Sequence, residues 1–432
     1  MEKFRDNKLI STLMQEKYVL FAYVVVFMLN NFTEFFFDYW TKPLYAVIYL
    51  WVLMIYLYHT LVSRKYLSDK YYRIAQVFLI INVFCSFIYK ANWRFSILQD
   101  FAILILYIFV SFGAFHEKQD IGLLEKMMWF LMVVTFATSG MSIYAKFYHT
   151  EWLKEIASDR YRGFYNYYNE GAVYCYASIM FSAYMLASRK ALPLKVFAAV
   201  NIPVQLLYML FTRARTYILA LAASVFILAL VTAHMKIRDK KRLRMMYLCM
   251  FAVFVIGGYV LIFTKYGMGR NIAEFSFNGY TFKDLGTMPP EVRDEFLNRF
   301  TSARWLRWKE CFGVIKSSPL IGYGLKSAGF TYFVNRGYNS HNLFINSMMY
   351  SGIIGTVWMT YYLFVLMKDS AKNCYSITRA VLWIFTLGNV LIAQLETGLL
   401  YNGKNTVALC WAVWGLLTCL RDMRTDAENE LY

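Results

Sequence analysis

The chain has 432 residues, 59% hydrophobic and 17% charged, with a net charge of +18. Soluble domains carry roughly a quarter charged residues, so a soluble enzyme is excluded, and apolar runs that are continuous rather than alternating exclude a β-barrel. The basic excess lies in short gaps between apolar runs, which fits membrane topology rather than nucleic-acid binding.

Apolar runs of about twenty residues, enough to cross a hydrocarbon core, recur along the chain. They predict an all-α polytopic membrane protein of about twelve transmembrane helices. The windows are 18–37, 43–62, 71–89, 99–115, 121–147, 169–187, 192–211, 216–234, 245–265, 342–367, 377–398 and 405–420. The chain divides into spans over 1–265, a long extramembrane segment over 266–341, and further spans with a tail over 342–432. The first 17 residues are polar. The run after them is too long for the core of a cleaved signal peptide, so the first span reads as a retained anchor. The seven cysteines show neither metal spacing nor a disulfide framework. Cys85, Cys175, Cys249, Cys410 and Cys419 lie in apolar runs and read as small core residues.

Basic residues mark the cytoplasmic gaps. These are the N-terminus, Arg64-Lys65, Arg189-Lys190, the run KIRDKKRLR over 236–244, and Lys368 with Lys372. With an even number of crossings all of them, and the C-terminal tail, fall on one side. The opposite side receives 148–168, the turn FTRART over 211–216, the segment 266–341 and the turn YNGKN over 401–405. Connections usually run a few residues, so a segment as long as 266–341 reads as functional. Trp93, Trp152 and Trp305 fall on this side and read as interfacial anchors, with sugar stacking as the alternative.

Within the long segment, Pro289-Pro290 followed by Glu291, Asp294 and Glu295 predicts a helix start. Phe296, Phe300, Trp308, Phe312 and Ile315 recur at helical spacing. Arg304 falls inside that stripe, where a guanidinium needs an anion, an internal glutamate, or room to snorkel. The turn at SSPLIGYG ends the pattern through Pro319, Gly322 and Gly324. Arg213 and Arg215 stand where positive-inside logic disfavours arginine. They serve either as headgroup anchors or as an anion site, for which planar guanidinium donors suit phosphate. Arg160 and Arg162 lie on the same side, beside Asn166, Asn169 and Glu170, which could bind sugar hydroxyls or cap the next span. His341 opens a span on this face. By position alone it reads as a spectator beside an N-cap, and the alternative is a neutral imidazole that accepts a proton from an alcohol. No Walker phosphate loop, HExxH or Asp-x-Asp pair occurs, so no ATP-driven pump, metal or cofactor is expected. Mid-span charges are few, with Glu396 near an outer end, which argues against an ion-coupled transporter.

Taken together and in this order, these residues resemble the O-antigen ligase and polymerase superfamily of bacterial membranes. SARWLRW carries the family's Arg-x-x-x-Trp through Arg304 and Trp308, SSPLIGYG its Pro-x-x-Gly-x-Gly, and SHNLFINSMMYSGIIG its His-Asn segment. TRART resembles the Ser-Arg turn, with Arg215 matching, Ala214 in place of serine, and Arg213 a rival assignment. RGFYNYYNEGA resembles the Arg-Gly and Asn pattern more loosely, and the first 150 residues match only as generic spans.

The resemblance implies a GT-C-like membrane glycosyltransferase with one large extracytoplasmic loop containing amphipathic helices. It implies a metal-independent, inverting reaction without a cofactor, and an undecaprenyl-pyrophosphate-linked glycan donor. Expected catalytic residues are His341, Arg304 and Arg215. Arg213, Arg162, Arg307 and Asn342 are expected at the pyrophosphate, and Trp308, Asn166, Asn169 and Glu396 at sugar or acceptor. Expected partners are the lipid-linked donor, a glycan acceptor and the bilayer, with a flippase and a chain-length regulator beside them, and no nucleic acid. The expected place is the bacterial inner membrane, with both termini cytoplasmic. The favoured activity is polymerisation of lipid-linked repeats, and ligation to another acceptor is the alternative. A lipid-linked glycan flippase or a non-catalytic assembly partner is the reading of a different class. The mid-span Asn82, Asn201 and Asn389 are the residues that would line a flippase path.

Overall fold

The computed structural model describes residues 12–31, 38–88, 95–117, 120–149, 161–165, 167–188, 190–263, 275–301, 304–325, 340–396, 398–401 and 404–419. Trp93, Trp152, Arg160 and Asn166 lie outside them. The described residues form helices and no strand, apart from an isolated bridge between Phe277 and Tyr280.

In chain order the first helices are α1 (Glu16–Asn31), α2 (Asp38–Leu57), the single turn α3 (Lys65–Ser68) and α4 (Lys70–Ile88). Helices α5 (Phe95–Ile105) and α6 (Phe112–His116) are joined through a π-helical stretch, Leu106–Ser111. Then come α7 (Ile121–Tyr148), α8 (Tyr168–Ala187), α9 (Leu192–Thr212), α10 (Arg215–Lys236) and α11 (Lys240–Phe263). The long segment supplies α12 (Pro290–Phe300) and α13 (Arg304–Ser317). The chain closes with α14 (Leu343–Lys372), α15 (Ile377–Ala393) and α16 (Asn405–Thr418). Seven helices are long and apolar enough to cross a membrane: Pro43–Val62, Lys70–Ile88, Ile97–His116, Ile121–Tyr148, Leu192–Thr212, Arg215–Lys236 and Leu343–Lys372. The other five windows also hold helices (α1, α8, α11, α15 and α16), without meeting both criteria among the described residues. The twelve-crossing count therefore stands as a proposal.

At the centre lies α16, whose Trp411 and Trp414 are fully buried. It packs on α6 so closely that a Cβ on Gly415 would sit 2.0 Å from the Phe112 carbonyl oxygen. Helices α8 and α9 pair beside it, as do α10 with α15 and α4 with α14. A buried polar network ties α7, α8 and α9 together. Asn201 Nδ2 donates to Ser178 and Ser182, Gln205 Nε2 donates to Asn201, and Ser139 donates to Gln205 Oε1. Hydrogen bonds between polar side chains hold helices together where the surrounding lipid supplies no hydrophobic drive.

Several expectations are corrected. The stripe from Phe296 to Ile315 is two helices, not one. Thr301 forms the joint: its hydroxyl donates to the Leu297 carbonyl and accepts from the Trp305 amide. Arg304 is therefore the first residue of α13 rather than the middle of a face, and Phe312 is exposed. Trp305 binds helix to helix, its indole N–H donating to Asp294 at 2.9 Å. Helix α15 stops at Ala393, short of the expected 398, so Glu396 lies beyond it. Cys249 is exposed, because α11 lies at the edge of the bundle with its apolar face outward; the other four of those cysteines are buried.

A backbone splice joins the end of α13 to α14. Gly352 breaks α14 with φ 61° and ψ −162°. The chain after α13 supplies the missing hydrogen bonds: Tyr323 and Gly324 amides donate to the Met349 and Tyr350 carbonyls. In return, the Ile353 and Ile354 amides donate to Pro319 and Leu320. Any Cβ on Gly322 would lie 2.6 Å from the Gly352 nitrogen, so glycine is required at that crossing. Broken helices are tolerated at membrane depth when other protein groups satisfy their backbone.

Candidate functional site

Ion pairs gather the described basic gaps at one end of the bundle. Lys65 meets Glu16 and Glu117, Lys70 meets Asp369, Lys190 meets Glu125, and Lys17 meets Asp120. The opposite end is built around Glu396, which is 4% exposed. Its Oε1 accepts from Arg304 Nη2 at 2.6 Å and from Asn169 Nδ2 at 3.1 Å, and its Oε2 pairs with His341 Nδ1 at 3.2 Å.

Each member is placed by a different element. Asp294 of α12 holds Trp305 and Lys309, which fixes the angle between α12 and α13 and so aims Arg304. Trp308 Nε1 donates to the Ser340 carbonyl at 2.7 Å, pinning α13 to the chain that enters α14. Asn342 is the N-cap of α14: its Oδ1 accepts from the Ile345 amide, and its Nδ2 donates to the Gln394 carbonyl beyond α15. Ser340 donates to Asn346 Oδ1 at 2.5 Å. With both neighbours anchored, His341 is held at φ 54°, a left-handed conformation uncommon for a residue with a Cβ. Asn169 is buried at the start of α8. It is carried there by a loop that Tyr208 of α9 grips at the Arg162 carbonyl and Ser142 of α7 grips at the Phe164 amide. Gly163 passes so near Ser142 that a Cβ would meet its Oγ at 2.4 Å.

Burial pushes the Glu396 carboxyl upward, but the His341 hydrogen bond and the Arg304 guanidinium outweigh it and hold the group below its ordinary range. An ionised Glu396 oxygen can only accept, so it draws a proton onto His341 Nδ1 and leaves Nε2 as the nitrogen able to take one. Arg304 spends one of its donors on Glu396, and its Nε is buried without a hydrogen-bond partner among the described residues. The side chains of His341 and Arg304 remain 26% and 21% exposed. The arrangement can orient a general base and offer guanidinium donors to an anion beside it.

The structure thus unites four of the expected residues, His341, Arg304, Asn169 and Glu396, and ties Trp308 and Asn342 to their frame. The internal glutamate that the sequence left open as Arg304's partner is Glu396. Arg213 caps α9 with φ 51°, and Arg215 begins α10; both are exposed at the same end. Arg162 and Arg307 are partly buried at that end. None of these four has a described contact to Glu396. Sequence reasoning missed Lys404, which lies within electrostatic reach of Glu396 and of Glu170. The Tyr107 hydroxyl, bonded to the Lys404 amide and carbonyl, fixes its position. The turn YNGKN was legible; the tyrosine that anchors it comes from 297 residues away.

Residues 200–360 match the model of a family described as O-antigen ligase. The match includes Arg213, Arg215, Arg304, Trp308, His341 and Asn342, and stops before Glu396. No curated protein matches the chain. Residues 200–360 thus match an O-antigen ligase domain, and that match supports a place for this chain of apolar helices in the O-antigen ligase and polymerase superfamily.

Proposed function

We propose that the chain is a multi-pass glycosyltransferase of the bacterial inner membrane that polymerises undecaprenyl-pyrophosphate-linked oligosaccharide repeats at the outer leaflet. The observation that carries this reading is the meeting of Arg304 and His341 on one buried carboxylate at the end of the bundle away from the basic gaps. His341 Nε2 takes the proton of the acceptor hydroxyl, with Glu396 stabilising the imidazolium that forms. The acceptor oxygen bonds to the anomeric carbon as the bond to the diphosphate oxygen breaks, and undecaprenyl pyrophosphate leaves with the electron pair. Direct attack inverts the anomeric centre.

The charges divide the labour. Arg304 and Glu396 nearly cancel, so the hold on a diphosphate falls mainly to Arg162, Arg213, Arg215 and Arg307, with the unspent donors of Arg304 aimed at the developing charge. Trp308, Asn166 and Asn169 are assigned to sugar or acceptor. Glu396, first expected to bind sugar, is assigned to orienting His341.

Ligation of a finished glycan to a different acceptor is the second reading, favoured by the description of the matching family. Flipping is disfavoured, because Asn201 spends its amide on Ser178, Ser182 and Gln205 within the α7–α9 network. The test incubates purified protein with a single lipid-linked repeat. A ladder of products supports polymerisation, product only after a second acceptor is added supports ligation, and no product with any acceptor overturns the enzyme reading.

A further inference from the structure

A second site lies at the opposite end of the bundle, where α10, α11, α14 and α15 leave a groove of about 580 Å³. Phe226 and Leu230 of α10, Phe251 of α11 and Trp383 of α15 form its apolar walls. His234 and Tyr247, sharing a 3.0 Å hydrogen bond, mark its mouth. Immediately beyond the mouth stand Lys236, Arg238, Lys240, Lys241, Arg242 and Arg244, all exposed. Among the described residues only Arg242 of these six has a carboxylate within ion-pair distance, Asp239 at 3.5 Å. Helix α11 is the least covered element nearby, with Leu248 69% and Val253 71% exposed.

Either feature alone is ordinary. A basic run by itself marks topology, and an apolar groove facing lipid takes any chain. Side by side, they select a molecule with a long apolar tail and an anionic head. A free phosphate has no use for the groove, and a neutral lipid has none for six cations. We propose that this groove binds an anionic glycerophospholipid of the cytoplasmic leaflet, one acyl chain lying in the groove bounded by α10, α11 and α15 and the phosphate held by the basic run. The bound lipid braces α11 against its neighbours. Each cation near such a headgroup adds to the attraction, and salt weakens it.

Native mass spectrometry of the full-length purified protein tests this with phosphatidylglycerol and phosphatidylcholine of identical acyl chains. Phosphatidylglycerol should be retained at least about tenfold better than phosphatidylcholine. The combined Lys240→Gln, Lys241→Gln, Arg242→Gln and Arg244→Gln variant should lose that preference. Ala371→Phe, which fills the groove from the exposed side of α14, should lower retention while leaving the basic run intact. Equal retention of the two lipids overturns the proposal. So does undiminished phosphatidylglycerol retention in either variant, or retention of neither lipid by the unaltered protein.

Discussion

Glu16 and Glu396 are buried carboxylates at opposite ends of the bundle, and each meets a cation at 2.6 Å and a histidine nearby. Around Glu16 the partners are Lys65, His59 at 3.7 Å and the Tyr66 hydroxyl. His59 is fully committed: its Nε2 bonds the Met14 carbonyl, which can only accept, and its Nδ1 then receives the Ser63 hydroxyl. Around Glu396 the carboxylate itself engages the imidazole at Nδ1, at 3.2 Å. A cavity of about 440 Å³ lies beside Glu16, so room for a ligand does not separate the two ends. What engages the imidazole does: a backbone carbonyl and a hydroxyl at one end, the buried carboxylate itself at the other. On the proposed reading, one trio closes a helix joint and the other orients a base.

The sharpest way to break this comparison is to remove each imidazole. His341→Ala should lower the release of undecaprenyl pyrophosphate by about 10²–10⁴-fold while donor lipid still binds. His59→Ala should leave turnover within about twofold, since surface or joint changes rarely reach a remote site. If both variants lose turnover alike, the two ends are not different in kind.

Glu396→Gln should cost up to about 10⁴-fold in turnover, the loss seen when the carboxylate behind a general-base imidazole becomes an amide. Donor affinity should hold, and the acid limb of the pH–rate profile should move, a change a purely structural role would not produce. Glu16→Gln should lower the melting temperature without altering turnover per folded molecule. Arg304→Lys preserves the charge beside Glu396 but not the planar fork, so about tenfold of turnover should go. Lys65→Arg at the other end should be tolerated.

The smallest expected effect is on stability against pH. Glu396 is held below its unfolded value, so its contribution is complete above the ordinary carboxylate range of about 4.3 and is lost as pH falls through the lower folded value. The melting-temperature gap between wild type and Glu396→Gln should stay level from about pH 5 upward and shrink below about pH 4.3. A gap that widens on acidification would reverse the sign assigned here.

Apolar helices were readable from length and apolarity, whereas His341 read by position as a spectator, and only the family resemblance raised it, with Arg304 and Arg215, to a candidate. The break between α12 and α13 was not readable. It depends on Thr301 serving two helices at once, whereas periodicity sees only the apolar stripe. Glu396 was visible as a charge near a span end, but its role was not. Its partners lie 55, 92 and 227 residues away, and no local pattern encodes a pairing over such distances. Lys404 was hidden for the same reason.

The splice at Gly352 has a mechanical consequence. Because the chain after α13 completes the hydrogen-bond ladder of α14, α13, which begins at Arg304, and α14, which His341 leads into, cannot slide past each other without opening both. They form one rigid jaw, and whatever motion would admit the proposed glycan must come from other elements. Tyr323 and Gly324 should therefore trade their amide hydrogens for deuterium as slowly as a membrane-embedded helix does, although they belong to a connecting segment.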